Sequence, residues 1–158
     1  MKTYLVSNSA DAKSKSKQFS TFIIDGRLYG IDVMKVQEVT KPLQVTLMRT
    51  APPFIKGLIN LRGQIATAIG LRELFGLSPE HSLEKMTVVC KVEDVLISLL
   101  VDTIGDVVEV SDTSFESSPL TIPANIRGFM QGVYKTETSI LSIINLESII
   151  LELDKRCA

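Results

Sequence analysis

An internal repeat constrains the fold of this chain more than any other feature of its sequence. A gap-free shift of 75 residues places Phe54 on Phe129 and Gly57 on Gly132. Further apolar positions coincide at the same shift: Ile65 with Ile140, Ile69 with Ile144, Leu71 with Leu146, and Leu74 with Ile149. Upstream, the segments IDVMKVQEV and VDTIGDVVEV match at a shift of 70 to 71. Self-similarity of this kind indicates two copies of one structural unit.

Each copy has the pattern of a meander of short strands that ends in a short helix, so we expect each half to close into a small β-barrel. The 158 residues are 45% hydrophobic but only 6% aromatic, without Trp, so the core depends on Val, Ile and Leu, which favour strands. Neither half buries much apolar surface alone. We therefore predict a mainly β fold of two barrel subdomains that share an interface and leave a groove between them.

Turn-forming dipeptides separate the apolar runs and predict β-hairpins. Asp25-Gly26, a strong type I′ signal, separates residues 19–24 from 27–32, and Arg62-Gly63 and Glu93-Asp94 occupy similar positions. Residues 36–40 and 44–48 suggest further short strands. A last hairpin follows at residues 127–144. Short helices are expected at about 71–75, between Gly70 and Gly76, and after the capping residue Asn145.

Charge and cysteine usage indicate where the protein works. Residues 1–18 carry four lysines and one aspartate, a net charge of +3, and we expect a disordered tail, with weak contact to an acidic surface as an alternative. Residues 154–158 are expected to fray. The tail lacks the apolar run of a secretory signal, and no apolar stretch reaches about 18 residues, so no membrane insertion is expected. Cys90 and Cys157 show no disulfide spacing, which favours a reducing, cytoplasmic compartment.

The titratable residues form no arrangement typical of a catalytic site. His81 is the single histidine, and no Cys/His cluster with metal-ligand spacing accompanies it. Asp102, Asp106 and Glu109 lie close in sequence, but charged residues on the solvent face of a strand are commoner than a carboxylate site. Arg62 lacks the helix N-terminus or second cation of a phosphate site. The net charge of −1 lacks the excess of basic residues expected of a nucleic-acid-binding protein. A binding module without enzyme activity, cofactor or metal is predicted.

An ordered set of motifs resembles the CheW family of bacterial chemotaxis coupling proteins. The motifs are LYGIDVMKVQEV, APPFIKGLINLRG, LRELFG, LLVDTIGDVVEV and FMQGVYK followed by SILSIINLESII. The resemblance covers residues 19–153, which we expect to form one CheW-like domain of two intertwined subdomains. It implies a pair of five-stranded, SH3-like barrels and a non-catalytic scaffold. It also implies a cytoplasmic protein associated with receptor arrays at the inner membrane.

The resemblance further implies two partners, the cytoplasmic tip of a methyl-accepting chemoreceptor and the regulatory domain of a CheA-type histidine kinase. Receptor helices in this family lie along the groove, and the matching positions here are Val36, Glu38, Gly57 and Arg62. The residues alone are also compatible with structural roles: Val36 as core, Glu38 as a solvated strand residue, and Gly57 as a tight bend, since Gly132 shares its place in the repeat. Arg62 has no such counterpart, because Glu137 occupies its position.

Kinase contacts are expected on faces beyond the groove, near Lys41 and Val45. Two alternatives to chemotaxis coupling stay open. One is the same adaptor role in another chemosensory pathway, controlling pilus motility or second-messenger output. The other is a kinase-independent, SH3-like peptide-binding module.

Overall fold

The computed structural model describes residues 3–5, 16–78 and 85–157, and these form strands with a few helices. Candidate His81 lies outside the described residues. The strands are β1 (Thr3–Leu5), β2 (Ser16–Ile24), β3 (Arg27–Asp32), β4 (Val36–Thr40), β5 (Ile55–Leu61), β6 (Gln64–Gly70), β7 (Met86–Val92), β8 (Val95–Val101), β9 (Thr103–Ser111), β10 (Phe115–Glu116), β11 (Met130–Lys135) and β12 (Ile140–Ile144). The α-helices are α1 (Leu71–Leu74), α2 (Ala124–Arg127) and α3 (Leu146–Cys157). None of them is long and apolar enough to cross a membrane.

The strands form two sheets, which confirms the predicted mainly β fold of two subdomains. The smaller sheet has the order β4-β7-β8-β6-β5. The larger sheet has the order β1-β9-β2-β3-β12-β11-β10, in which the five central strands correspond to the smaller sheet. The predicted hairpin turns are present, and Asp25 and Arg62 both have a φ of 52°, followed by glycines of positive φ, as type I′ turns require.

The repeat units and the sheets do not coincide. One unit supplies β2 to β6, and the other supplies β7, β8, β9, β11 and β12. Each sheet combines the first hairpin of one unit with three strands of the other: β2 and β3 join β9, β11 and β12, whereas β7 and β8 join β4, β5 and β6. The expectation that each half closes its own barrel is therefore wrong. The parallel pairs β12–β3 and β6–β8 complete each sheet with a strand of the other unit.

The buried side chains form one large core between the sheets and a small core within each barrel. Within the described part of the chain, the central core has 22 buried residues from both sheets and from α1, α2 and α3, among them Phe22, Tyr29, Ile97 and Ile149. The barrel cores have six buried residues each, around Phe19 in the larger barrel and around Ile59 in the smaller one. Because a buried aliphatic side chain stabilises the fold by about 1.5–3 kcal/mol, most of the hydrophobic stabilisation depends on the shared core.

A buried ion-pair network joins the two sheets at their seam. Arg72 of α1 lies with its Nη1 2.6 Å from Oδ2 of Asp102, and both side chains are less than a tenth exposed. The same carboxylate oxygen accepts a hydrogen bond from the backbone N–H of Asp25, in the β2–β3 turn, at 2.9 Å. Arg72 Nε also donates to the Ser78 carbonyl at 2.9 Å. The network therefore ties a helix of the smaller sheet to a turn of the larger one.

A glycine at the same bulge in each repeat lets another segment cross the last hairpin. The register shifts between Ile55 and Gly57 and again between Met130 and Gly132. A Cβ at Gly57, whose φ is +140°, would overlap the Thr46 carbonyl, and one at Gly132 would lie 2.6 Å from the Glu116 carbonyl. The crossing segment pairs through Thr46 in one repeat and through Glu116 in the other. The strand predicted at 44–48 is reduced to this one bridge.

The ends of the chain also differ from expectation. β2 begins at Ser16, inside the predicted tail of residues 1–18, and Thr3–Leu5 pairs in parallel with Val107–Glu109 of β9. Residues 6–15 lie outside the described residues. At the other end α3 continues to Cys157, because Leu146, Ile149 and Leu153 hold it against the central core, so most of the segment expected to fray is helical.

We expect Asp102→Asn to lower the free energy of unfolding by about 3 kcal/mol, because it removes the buried charged partner of Arg72 and leaves only the exposed Asp25 carboxylate, 3.6 Å from Arg72 Nη2. Urea unfolding followed by circular dichroism measures this loss. Glu116→Gln is the matched control, since it breaks the exposed Lys135–Glu116 pair and should cost less than about 1 kcal/mol. Equal effects of the two substitutions would contradict a structural role for the buried pair.

Gly57→Ala should destabilise the protein by about 3 kcal/mol, since the new Cβ meets the Thr46 backbone in addition to the unfavourable φ. Gly63→Ala is the control: its φ is +88°, but a Cβ there meets nothing within 4 Å. It should cost only the conformational strain of about 1 kcal/mol. If the two variants melt at the same temperature, the crossing segment does not press on Gly57.

Burial raises the pKa of the Cys90 thiol from 9.0 to about 12. Because the folded state holds the thiol proton more tightly than the unfolded state, this contribution to stability is complete below pH 9 and is lost as the pH rises toward 12. The free energy of unfolding of the wild type should therefore fall more steeply above pH 9 than that of Cys90→Ala, by up to about 1.4 kcal/mol per pH unit. Parallel urea midpoints between pH 7.5 and 10.5 would contradict this.

Candidate functional site

Two of the predicted receptor-binding residues meet at one end of the smaller barrel. Arg62 occupies the turn between β5 and β6, and its Nη2 lies 3.2 Å from Oε2 of Glu38, on β4. The turn is held by Asn60, whose Oδ1 accepts a hydrogen bond from the Gly63 N–H at 2.9 Å. The ion pair joins β4 and the β5–β6 hairpin, which lie at opposite edges of the sheet, so the contact closes the barrel at this end.

The exposure of this pair leaves the arginine available to a partner. The Arg62 side chain is 75% exposed and the Glu38 side chain 25% exposed. Oε1 of Glu38 is buried and has no hydrogen-bond partner among the described residues. Exposed ion pairs contribute at most about 1 kcal/mol to stability, so the fold does not depend on this one. Arg62 presents several unused N–H donors in a planar array that suits carboxylates or backbone carbonyls.

Val36 lies at the start of β4, where the chain passes from the larger to the smaller sheet. Its side chain is half-buried and packs against the central core, so the alternative that it belongs partly to the core is supported. The preceding 3-10 turn, Val33–Lys35, presents Met34, which is 87% exposed. Oδ1 of Asp32 accepts from the Met34 N–H at 2.9 Å and begins this turn. Met34 thus presents an exposed apolar side chain two residues before Val36, at the junction of the two sheets.

Lys35 fixes the same turn to the C-terminal helix. Its Nζ lies 2.9 Å from Oε1 of Glu147, in the first turn of α3, and this hydrogen bond lowers the pKa of Glu147. Sequence reasoning missed both Met34 and this contact. The sequence signal for the turn that exposes Met34 is Asp32, since Asp side chains commonly accept a hydrogen bond from the backbone N–H two residues later. No local pattern pairs Lys35 with Glu147, 112 residues away.

Gly57 and Val45 are occupied by contacts within the chain. Gly57 is buried under Val45 and Thr46, so the close backbone approach expected of a partner is made by the protein itself. Val45 packs against the smaller barrel core and is half-buried. Lys41, by contrast, is exposed at the end of β4. The structure thus brings Glu38 and Arg62 together but does not place Gly57 at the surface.

The acidic candidates do not converge on a site. Asp102 belongs to the buried seam network, and Glu109 accepts a hydrogen bond from the Ser16 hydroxyl at 2.8 Å. Asp106 contributes its backbone carbonyl, as an acceptor for the Thr21 hydroxyl. Within residues 3–5, 16–78 and 85–157, no group of three or more His, Cys, Asp or Glu side chains is placed to hold a metal ion.

This chain is similar to known proteins in both architecture and sequence. The model of the CheW-like domain family matches residues 18–154. The chain is 32% identical to the chemotaxis protein CheW of Treponema pallidum over 84% of its length and 81% of the relative. It is 28% identical to the CheW of Bacillus subtilis over 90% of its length and 91% of the relative. The crystal structure of the scaffolding protein TtCheW from Thermoanaerobacter tengcongensis superposes with a TM-score of 0.74 and 30% identity, covering 82% of this chain and 89% of that one.

The match spans both barrels, and the strand exchange that joins them lies entirely inside the matched residues. The family assignment therefore rests on the whole domain and not on a single motif. This chain belongs to the CheW family.

Proposed function

We propose that this protein is a non-catalytic adaptor that couples the cytoplasmic tips of chemoreceptors to a CheA-type histidine kinase. The names of its relatives support a role in chemotaxis, and the solved relative is described as a scaffolding protein. The protein would work in the cytoplasm, associated with receptor arrays at the inner membrane. The observation that carries the proposal is the exposed Arg62 guanidinium, oriented by Glu38 at the end of the smaller barrel.

The receptor-binding surface of this proposal follows the seam from Met34 and Val36 to Glu38 and Arg62. The exposed Met34 and the half-buried Val36 precede Glu38 on one segment, and such apolar side chains near an oriented charge suit an amphipathic helix, whose apolar face packs while a polar group fixes its register. Gly57 acts indirectly, because it allows the Val45–Thr46 segment to lie across the hairpin that carries Arg62. For the kinase we propose the neighbourhood of Lys41, which is exposed, with Val45 supporting it from the barrel core.

The proposal predicts that Arg62→Asn weakens binding to a receptor-tip fragment about tenfold, as expected for an interface arginine, and leaves binding to the CheA regulatory domain unchanged. Asparagine tolerates the φ of 52° at this position, so stability should change by less than about 1 kcal/mol. Isothermal titration calorimetry measures both affinities. Glu93→Asn is the matched control, because Glu93 is also exposed in a hairpin turn, with a φ of 54°.

Three results would contradict parts of the proposal. If the wild type binds neither fragment, the adaptor role fails, and a kinase-independent peptide-binding module becomes the better supported function. If Arg62→Asn loses only kinase binding, the two surfaces are assigned the wrong way round. If Arg62→Asn unfolds the protein while Glu93→Asn does not, Arg62 is structural.

A further inference from the structure

A pocket of about 350 Å³ opens at one end of the larger barrel, beside the passage from β3 to β4. Three aromatic side chains line it: Phe19, Phe115 and Tyr134. The ring centroid of Tyr134 lies 5.4 Å from that of Phe19 and 5.1 Å from that of Phe115, which meets it edge-on. Phe19 and Tyr134 are both 3% exposed, whereas Phe115 is 43% exposed, so the aromatic wall runs from the barrel interior to the surface.

The exposed ring of this wall is fixed by the bulge of the second repeat. Phe115 lies across Gly132, where an added Cβ would overlap the ring. β10 also pairs with β11 in a register that places Phe115 opposite Tyr134. A fixed, partly exposed aromatic ring is a surface on which a cation packs favourably.

Two carboxylates, those of Asp32 and Asp112, line the same pocket. Oδ1 of Asp32 accepts the Met34 N–H at 2.9 Å, which holds this side chain in place. Burial, and after it the negative charges of Asp112 and Asp32, raise the pKa of Tyr134. Both carboxylates therefore act on the tyrosine hydroxyl, and negative charge dominates where the rings and the acids meet.

Two lysines also line the pocket, but they do not cancel this charge. Nζ of Lys35 is held 2.9 Å from Oε1 of Glu147, and Lys17 is exposed at the start of β2. Neither lysine is among the charges that shift the pKa of Tyr134. The carboxylates therefore set the sign of the potential beside the tyrosine, which favours a cationic occupant.

The Tyr134 hydroxyl adds a polar group that calls for a partner. The side chain is 3% exposed, and among the described residues its hydroxyl has no hydrogen-bond partner. Because buried polar groups are nearly always paired, this hydroxyl indicates that a hydrogen-bonding group enters the pocket. The two carboxylates beside it select a group that carries N–H donors.

The other repeat shows which cation pairs with an aspartate at this position. Asp32 and Asp102 are repeat mates at the shift of 70 residues. Asp102 holds the guanidinium of Arg72, with Nη1 2.6 Å from Oδ2. At the shift of 75 residues Glu147 takes the place of Arg72, so the equivalent position supplies Asp32 with no arginine.

The wall chemistry also favours a guanidinium over an ammonium group. A guanidinium is planar and weakly hydrated, so it packs on an aromatic ring such as Phe115 while its edge donates hydrogen bonds. Its five N–H donors match the acceptors that line this pocket, the Asp32 and Asp112 carboxylates and the Tyr134 hydroxyl. A lysine ammonium is a compact, strongly hydrated charge that gains less from the rings.

The pocket is continuous with the proposed receptor surface. Asp32 and Lys35 line it, and they flank the two residues of the turn that presents Met34. From there the surface follows Val36 to the Arg62 turn. A partner segment that covers Met34 therefore passes the pocket.

We propose that this pocket binds an arginine side chain of the receptor segment that lies along the surface from Met34 to Arg62. The inference rests on the proposed adaptor function and extends the receptor surface onto the larger barrel. The guanidinium packs on Phe115 and donates to Asp32, Asp112 and the Tyr134 hydroxyl.

The first test uses N-acetyl-arginine amide as the probe and the full-length ¹⁵N-labelled protein as the target, so it does not depend on a receptor. At millimolar probe we expect amide shift changes at Lys17, Asp112, Gln131 and Tyr134, which line the pocket. N-acetyl-citrulline amide has the same shape without the charge and should produce none of them. N-acetyl-lysine amide should bind more weakly than the arginine probe.

The second test measures the affinity of a receptor-tip fragment by isothermal titration calorimetry. Asp112→Asn should weaken this binding about tenfold, since it removes one charge-assisted contact, and should leave binding of the CheA regulatory domain unchanged. Glu116→Gln is the matched control, because it removes the same charge next to Phe115 from a residue that does not line the pocket. Circular dichroism should show equal melting temperatures for the two variants.

The two tests separate failure of this inference from failure of the adaptor function. Equal shifts with the arginine and citrulline probes, or equal affinity for the lysine probe, would overturn the arginine pocket. If the wild type binds the receptor-tip fragment and Asp112→Asn binds it as tightly, the arginine contact is wrong while the adaptor role stands. If the wild type binds the arginine probe but no receptor-tip fragment, the adaptor role fails, and with it the assignment of the arginine to a receptor.

Discussion

The central core between the two sheets is the constraint on which the rest of the structure depends. Because each repeat gives its first hairpin to the other's sheet, neither sheet is complete until both repeats are in place. The parallel pairs β12–β3 and β6–β8 then bring apolar faces from both units into one core. The small barrel cores contribute little by comparison. The two barrels therefore form one cooperative unit, which holds the surface along their seam in a fixed geometry.

The strand exchange forces close contacts at the places where segments cross, and particular residues make those contacts possible. Arg72 and Asp102 form a buried ion pair where α1, the β8–β9 connection and the β2–β3 turn meet. Because Gly57 and Gly132 have no Cβ, a second segment of the chain can pack against the last hairpin of each repeat. These residues make contacts within the chain, so they account for the fold and not for the binding of partners. They also show why Gly57 recurs in the repeat while Arg62 does not.

The surfaces to which we assign function lie where the two repeats differ. The turn of the first repeat has Arg62, paired with Glu38, whereas Glu137 takes that place in the second. Beside the pocket of the larger barrel, a glutamate takes the repeat position of Arg72. The second repeat also contains α2, whereas the equivalent connection of the first forms no helix. A duplicated scaffold can change the exposed Arg62 turn at little cost, because the shared core does not depend on it, whereas α2 contributes Ile126 to that core.

The sequence by itself determined the repeat, the hairpin turns, the capped helices and the family. These follow from local turn chemistry and from apolar periodicity, which act over a few residues: Asp25-Gly26 and Asn145 fix their own segments. Only the tertiary structure decided which hairpin joins which sheet, because the strands of both repeats have the same pattern and pair equally well by local rules. It also decided that Gly57 is buried by its own chain, that Asp102 meets Arg72, and that Arg62 meets Glu38. Those contacts join residues 11 to 30 positions apart, and their distances depend on how the whole chain packs.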